Sequence, residues 1–508
     1  MADTQVVWFK RDLRIADHAP LLRASRAGPV LGLYVLEPSW LSAPTTDSSH
    51  VQFVLDSLLE LREALEATGA RLLVQQGEVT GVLDRLFETH PFAGLWSHEE
   101  TGDDRSYQRD KAVARWARSR EVHWTEVPQF GVLRGSGPKR RQWASQWTAR
   151  MSKPVYPAPD QLRSPEGAPE SETLPSLAGL GLPPSRKTES VSSGRAAGLA
   201  TLRSFIRERA EGYRSGISSP VSAWTASSRL SPYIAYGNLS LKEIFQSAQL
   251  RLHGLGGRRS ASVQHTREGL EAFESRLRWH CHFIQKLEDE PALEFRNLNP
   301  AFDGLREEDP DRWTVEDQAG FEAWKEGRTG FPMVDAVMRA LQAGGWVNFR
   351  MRAMLVSFAT HQLWLHWREP ALFLARHFLD YEPGIHFSQF QMQAGTTGIA
   401  ANRVYSPAKQ VRDQDPTGVF IRRWIPELEA VPDAHLPEPH RMTREAQSKF
   451  ACRIGKDYPV PIVAPGRAMA QARAKLEEAK KRAEASGRNH EVLRRHGSRR
   501  RSPFASRR

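Results

Sequence analysis

The sequence predicts an α/β N-terminal domain, a Rossmann-like parallel sheet, joined by a long connector to an all-α domain. Three observations carry this. Short apolar runs alternate with amphipathic stretches as far as residue 130. Residues 131–200 then turn rich in Gly, Pro, Ser and Arg. From residue 201 onward nearly every segment repeats its apolar residues at helical spacing.

The strand candidates are Val6–Phe9, Val30–Leu36, Arg71–Val74, Gly94–Ser97 and Val122–Val127. Each is a short, nearly continuous apolar run, the pattern of a strand buried on both faces. Helical patterns near 50–69, 79–89 and 103–119 separate them, which implies parallel strands with crossover helices. Such a sheet binds ligands at the carboxyl ends of its strands. No Gly-x-Gly-x-x-Gly follows the first strand, so nicotinamide dinucleotide binding is not supported. The connector, with Gly135-Ser136-Gly137-Pro138 and the stretch from Pro157 to Ser193, is expected to wrap the surface. Helices are expected at Gly198–Glu211, Leu241–Leu252, Gly269–Leu287, Met333–Gln342, Met351–Trp364 and Ala371–Phe378. Residues 466–486 are expected to form a solvated helix and the Arg/Ser tail beyond it to be disordered. The division is therefore 1–130, 131–200, 201–465 and 466–508.

Composition narrows the function. The chain has 508 residues and is 40% hydrophobic, enough for a sizeable core. No run of 18 apolar residues exists, so no membrane span is expected. The first residues lack a basic-then-apolar leader, so a cytoplasmic protein is expected. Cys281 and Cys452 are the only cysteines, too few for a disulfide scaffold or a four-cysteine zinc or iron–sulfur site. The 15 Trp are about twice the usual share. The net charge is +12, and residues 486–508 hold eight Arg against the single acid Glu491. A polyanion partner fits that balance, and a basic tail without a specific partner is the plainer reading.

Five motifs stand in order along the chain. They are Val6-Val7-Trp8-Phe9-Lys10-Arg11-Asp12-Leu13-Arg14, Ser227-Ser228-Arg229-Leu230-Ser231-Pro232-Tyr233, and Trp324-Lys325-Glu326-Gly327-Arg328-Thr329-Gly330-Phe331-Pro332 with Asp335 and Met338-Arg339. Gly345-Trp346 with Arg350 and Arg352 follows, and then Phe420-Ile421-Arg422-Arg423-Trp424-Ile425-Pro426-Glu427-Leu428. Together the chain resembles the cryptochrome/DNA photolyase family over most of residues 5–430. The resemblance implies FAD held U-shaped in the helical domain, UV-damaged DNA as partner, a monomer, and a region that can hold an antenna chromophore of unidentified kind.

Hydroxyls and N–H groups at a helix start suit a diphosphate. The resemblance makes Ser227, Ser228, Arg229, Leu230 and Ser231 the FAD cradle, with Tyr213 upstream; an ordinary Ser cap is the plainer reading. Arg352 and Asp380 match the family pair beside the flavin, with Tyr381 between Asp380 and Glu382. Glu382 stands where the family has a second Asp that accepts from the flavin ring N–H. A surface ion pair is the alternative for Arg352 and Asp380. His386 matches the side chain facing the flavin's reactive nitrogen, or is a satisfied core histidine. Trp313 and Trp367 match the outer electron-transfer positions, and the proximal one is Phe390, whose ring is much harder to oxidise than indole. Trp346, Trp364 or Tyr381 are substitutes for it, and packing is the plainer role for every Trp.

The DNA-facing positions depart most from the family. Arg276 stands where dimer-repair enzymes have Glu, Trp279 is kept as a stacking platform, and the next residue is His280 instead of Arg. Phe349 replaces the usual Asn, Ala353 a Met, and Gln391, Met392 and Gln393 an aromatic-flanked run. Arg350 and Arg403 remain as phosphate contacts. The chain thus resembles a divergent bacterial-type branch, outside the iron–sulfur branch and without the (6-4) enzymes' double His. The folate-antenna Asn-Glu pair reads Arg105-Ser106, so folate is not supported, while a deazaflavin, a flavin or no antenna stay open. His280-Cys281-His282 lies on a helix at spacing unsuited to shared metal ligation, so no metal is expected. His361 and His366 are expected on helix faces. The functional expectation is a blue-light-driven photolyase, a carbon–carbon lyase acting on pyrimidine lesions, with a cryptochrome-type photoreceptor as the alternative.

Overall fold

The computed structural model describes residues 3–135, 142–171, 173–257, 259–398 and 404–497. Arg403, most of the Gly135–Pro138 turn and the tail beyond residue 497 lie outside the described residues, while the part of the tail just after residue 486, expected to be disordered, forms a helix over Arg488–His496 that buries Val492 and His496. The chain forms an N-terminal α/β domain with a parallel five-stranded sheet, followed by a helical C-terminal domain. Its contacts group into two compact units. The first comprises Met1–Asp289, Ala340–Asn348 and Leu374–Ile385, and the second Glu290–Arg339, Phe349–Phe373 and His386–Arg508.

In the first unit the strands are β1 (Gln5–Phe9), β2 (Val30–Leu36), β3 (Arg71–Gln76), β4 (Gly94–His98) and β5 (His123–Val127), in the order β3-β2-β1-β4-β5. All pairings are parallel, with Val7 opposite Gly32 and Trp96 in the central register. β1 and β2 are buried along their whole length, as continuous apolar runs require. Alternate residues feed two cores. Val7 and Phe9 join Leu58 and Leu72 on one face, and Val6 and Trp8 join Leu83 and Trp116 on the other. Gly32 is required by close packing, because a Cβ there would lie 3.0 Å from the Arg71 carbonyl.

The connector is more than surface wrapping. Helix Trp143–Met151 buries Trp147 and Met151 in the helical core, while Leu162 and Leu177 seal one face of the sheet. The longest helix, Ala261–Asp289, packs Leu270, Phe273, Leu277, Cys281 and Ile284 at helical spacing into that same helical core.

In the second unit the stretch expected as one helix over Met351–Trp364 divides. An α-helix over Phe349–Ser357 passes into a π-turn at Phe358–Gln362, with Leu363 N–H donating to the Phe358 carbonyl at 3.1 Å. Trp364 then takes a left-handed backbone, φ +58°. His361 and His366, expected on helix faces, are buried, and burial with the nearby Arg306 charge pushes them down to about 3 and about 4. The terminal helix Pro465–Ala485 is not solvated all round. It buries Ala472, Leu476, Ala479 and Ala483, the last two against Phe302. Three Ala and one Leu at i, i+4, i+7 and i+11 make an apolar stripe that charge counting hides. No helix among the described residues is long and apolar enough to cross a membrane.

Candidate functional site

The first motif closes the carboxyl end of β1. Lys10 binds Asp110 at 3.0 Å and lies over the Trp8 ring. Arg11 forms a salt bridge with Glu382. Arg14 donates to the Gly237 carbonyl at 2.8 Å, and Leu13 N–H to that of Tyr236. Asp12 is fully buried between His18 Nε2 at 2.9 Å and His98 Nδ1 at 2.6 Å. These three form the one metal-like cluster among the described residues. The tautomers explain it without an ion. His18 Nδ1 accepts the Leu21 N–H, so its Nε2 carries the proton given to Asp12. Burial works against the Asp12 charge, but the two imidazoles hold it well below the usual carboxylate range.

A cavity of about 100 Å³ opens at this sheet edge, lined by Arg11, Glu37, Trp40, Glu100, Arg105 and Arg109 among others. Arg109 is nearly enclosed, bridges Glu37 and Glu100 at 3.0 Å each, and lies 4.8 Å over the Trp8 ring. Glu37 Oε1 and Arg105 Nε are buried without hydrogen-bond partners among the described residues. Site cavities usually span about 300–1,000 Å³, so a three-ring chromophore would fit only after the rim side chains move.

The Ser227–Ser231 segment links helix Pro220–Ala226 to helix Ser231–Ala235. Arg229 within it holds φ +55°, a left-handed backbone that non-glycine residues seldom adopt. Arg209 clamps the Ser227 and Ser228 carbonyls, the latter at 3.2 Å. No carboxylate pairs with Arg209 or Arg229 among the described residues. Burial and the Arg229 charge lower Arg209 to about 10, and Arg229 Nε is buried without a partner. Two arginines with no carboxylate partner among the described residues, beside a Ser loop of unusual backbone, fit a diphosphate. Arg229 also covers Trp224, whose ring meets that of Trp346 at 5.7 Å.

On helix Ala261–Asp289, exposed Arg276 reaches the Tyr213 hydroxyl, so two residues expected at the site meet. Burial raises Tyr213 to about 12 against that guanidinium. Trp279 stacks on Phe283 with centroids 5.4 Å apart. His280 packs against Phe130, and burial lowers it to about 3. Asn348 donates to the Ile217 and Ser218 carbonyls, which fixes the loop before the cradle. Asp380, Tyr381 and Glu382 occupy the turn before helix Pro383–Ala394. Glu382 Oε1 is buried and unpartnered.

In the second unit, Arg350 and Arg352 lie on helix Phe349–Ser357, next to Phe349, which is 56% exposed. Arg350 Nε has no hydrogen-bond partner among the described residues. His386 Nε2 donates to the Ala371 carbonyl at 2.8 Å, and its ring lies 4.6 Å from that of buried Phe390. Trp367 is fully buried with Nε1 on Asn297 at 2.9 Å, while Trp313 packs against Phe321 near the surface. The rings of Trp313 and Trp367 do not touch each other. Trp364 does not suit the relay role, because Arg306 and Lys475 stand 4.4 and 4.5 Å from its ring and oppose loss of an electron. Gln391 is structural, spanning the Leu293 and Arg296 carbonyls and the Leu298 N–H.

Two of the five motifs serve architecture. Asp335 accepts from Thr329 N–H, Thr329 Oγ1, Gly330 N–H and the Tyr458 hydroxyl, and Arg339 pairs with Glu427 at 3.0 Å. Sequence reasoning missed Arg209 and gave Arg11 no role of its own. Lack of an acidic neighbour at helical spacing was the one signal for Arg209; nothing local marked Arg11.

Comparison with known proteins agrees with this arrangement. Residues 5–133 match the DNA photolyase family model, and residues 273–478 match the FAD binding domain of DNA photolyase. A deoxyribodipyrimidine photo-lyase from Streptomyces griseus is 31% identical over 94% of this chain and 98% of its own length. A cryptochrome DASH from Gloeobacter violaceus is 29% identical over 91% of this chain and 93% of its own. The crystal structure of a bacterial class III photolyase from Agrobacterium tumefaciens superposes with a TM-score of 0.81 at 26% identity, covering 95% of this chain and 98% of that one. A parallel sheet domain followed by a helical FAD-binding domain is the class these features define. The chain belongs to the cryptochrome/photolyase family.

Proposed function

We propose that this chain is an FAD-dependent, blue-light-driven DNA photolyase acting on UV-induced pyrimidine lesions. The observation that carries the proposal is the pair of carboxylate-free arginines, Arg209 and Arg229, around the Ser227–Ser231 loop of unusual backbone. Bound FAD, in its reduced form and excited by light, supplies the one-electron chemistry that splits a lesion and recovers the electron. The protein's residues do the rest. Arg229 faces the diphosphate, and Arg209, whose donors are engaged by Ser204, Thr201, Ser227 and Ser228, fixes the loop beneath it. Glu382 offers its unpartnered oxygen to a ring N–H, while Arg352 and Asp380 hold the ring's charge balance. Arg350 and Arg403 take phosphates of the strand, and Trp279, with one face on Phe283, stacks on an extruded base. Any second chromophore belongs in the sheet-edge cavity, where Glu37 Oε1 and Arg105 Nε await a partner.

Binding tests the reading. The FAD-loaded protein is expected to hold an oligonucleotide with one pyrimidine lesion at least about tenfold tighter than its undamaged copy. Equal affinity for both would turn the assignment to a photoreceptor.

A further inference from the structure

Glu382 is 4% exposed and gives one oxygen to Arg11, the Gly384 backbone N–H faces the carboxylate, and Oε1 has no hydrogen-bond partner among the described residues. A buried acceptor left empty is retained where a ligand completes it. Arg11 is fixed independently of Glu382. Its Nε donates to the Ala235 carbonyl at 2.9 Å, and its own carbonyl accepts from Gln129 at 2.8 Å. That carbonyl also packs so close to Gly237, whose φ is +69°, that a Cβ there would stand 2.2 Å away. The guanidinium is therefore set by the end of β1 and by the loop after helix Ser231–Ala235, and the carboxylate conforms to it.

We propose that Arg11 is a positioning residue that aims the free oxygen of Glu382 at a ring N–H of bound FAD and keeps it there. This rests on the FAD reading above and adds a residue 371 positions away in sequence. The charge balance supports it. Burial pushes Glu382 up, and Arg11 opposes that push. The other groups facing the pair are Glu100, Tyr236, His280 and Cys281. Glu100 stays ionised at about 2, through Lys10, Arg109 and Arg11 against its burial. His280 stays neutral at about 3, and burial keeps Cys281 at about 11 and Tyr236 above its ordinary range. Glu382 is thus the group whose upward push Arg11 restrains, and removing Arg11 moves its titration further upward.

The test is the dissociation constant of oxidised FAD, read by fluorescence between pH 5.5 and 8.5 for wild type, R11K, R11M, E382Q and R11M/E382Q. Folding of each is checked by circular dichroism. Wild type and R11K are expected to show flat profiles. R11M should weaken by about tenfold as pH falls, the loss of one charged hydrogen bond. E382Q and the double variant should be equally weak and flat. A flat or unchanged R11M profile in a folded protein overturns the proposal, as does unchanged affinity in E382Q. If R11M does not fold, E382Q and R11K decide: a pH-dependent R11K or a tight E382Q overturns it. A wild type that takes no FAD at all would instead sink the FAD reading itself.

Discussion

Arg276 shows how much one side chain can redirect a site. The family resemblance puts this guanidinium where dimer repair uses a carboxylate, and it is exposed and joined to Tyr213. A cation there attracts phosphate instead of accepting from a base. Arg276→Ala is expected to weaken DNA binding and to reduce the salt slope of log K by about 1, measured by titration at several salt concentrations. A second prediction concerns Phe390, which lies against His386. Phe390→Trp is expected to speed light-driven reduction of the bound cofactor by an external thiol, followed by absorbance. The sequence already exposed residues whose chemistry is local, such as the Ser227–Ser231 loop. Arg209 and Arg11 were not legible in the same way, because Arg209 acts on carbonyls 18 and 19 residues away and Arg11 on a carboxylate 371 away. The Asp12, His18 and His98 cluster was hidden for the same reason, since the sheet brings its members together.

At the scale of elements, periodicity located all five strands to within a few residues, because strands buried on both faces are continuous apolar runs. It placed the long helices well and failed where backbone geometry departs from 3.6 residues per turn. The π-turn at Phe358–Gln362 keeps an apolar pattern that reads as ordinary helix. The Trp324–Pro332 motif shows a different limit. Its residues carried the family resemblance without an assigned role, and they form a turn built on Asp335. Asp335→Ala would leave two buried N–H groups and the Tyr458 hydroxyl unpaired. It is expected to cost about 3–5 kcal/mol, measured by denaturant unfolding. Gly330→Ala should be comparably harmful, because φ is +78° and the new Cβ would stand 2.5 Å from the backbone of Val460. On the terminal helix, Leu476→Ala should cost about 2–4 kcal/mol if the apolar stripe is as well packed as its burial indicates.

For the whole molecule, buried histidines set the pH response. His50, His98, His280, His361, His366 and His377 are all pushed down to between about 3 and about 4, in each case chiefly by burial. Their pKa values in the folded state lie below the unfolded value near 6.5. Between those limits the unfolded chain binds more protons, so stability falls as pH drops below about 6.5. Each fully titrating histidine contributes a slope of about 1.4 kcal/mol per pH unit. Thermal unfolding should therefore show a steep loss of Tm between pH 6.5 and 5, and a flat Tm across that range would contradict the burial of these rings.

The whole account turns on whether the divergent cavity still repairs DNA. The most direct measurement gives the protein chemically reduced FAD and oligonucleotides carrying a single cyclobutane dimer or a single (6-4) photoproduct. Illuminated and dark samples are then compared by chromatography. Light-dependent loss of one lesion is the predicted result, and it would identify the substrate that Arg276 and Trp279 accept. Persistence of both lesions, with reduced FAD confirmed by absorbance, would contradict the assignment and leave photoreception as the function of this fold.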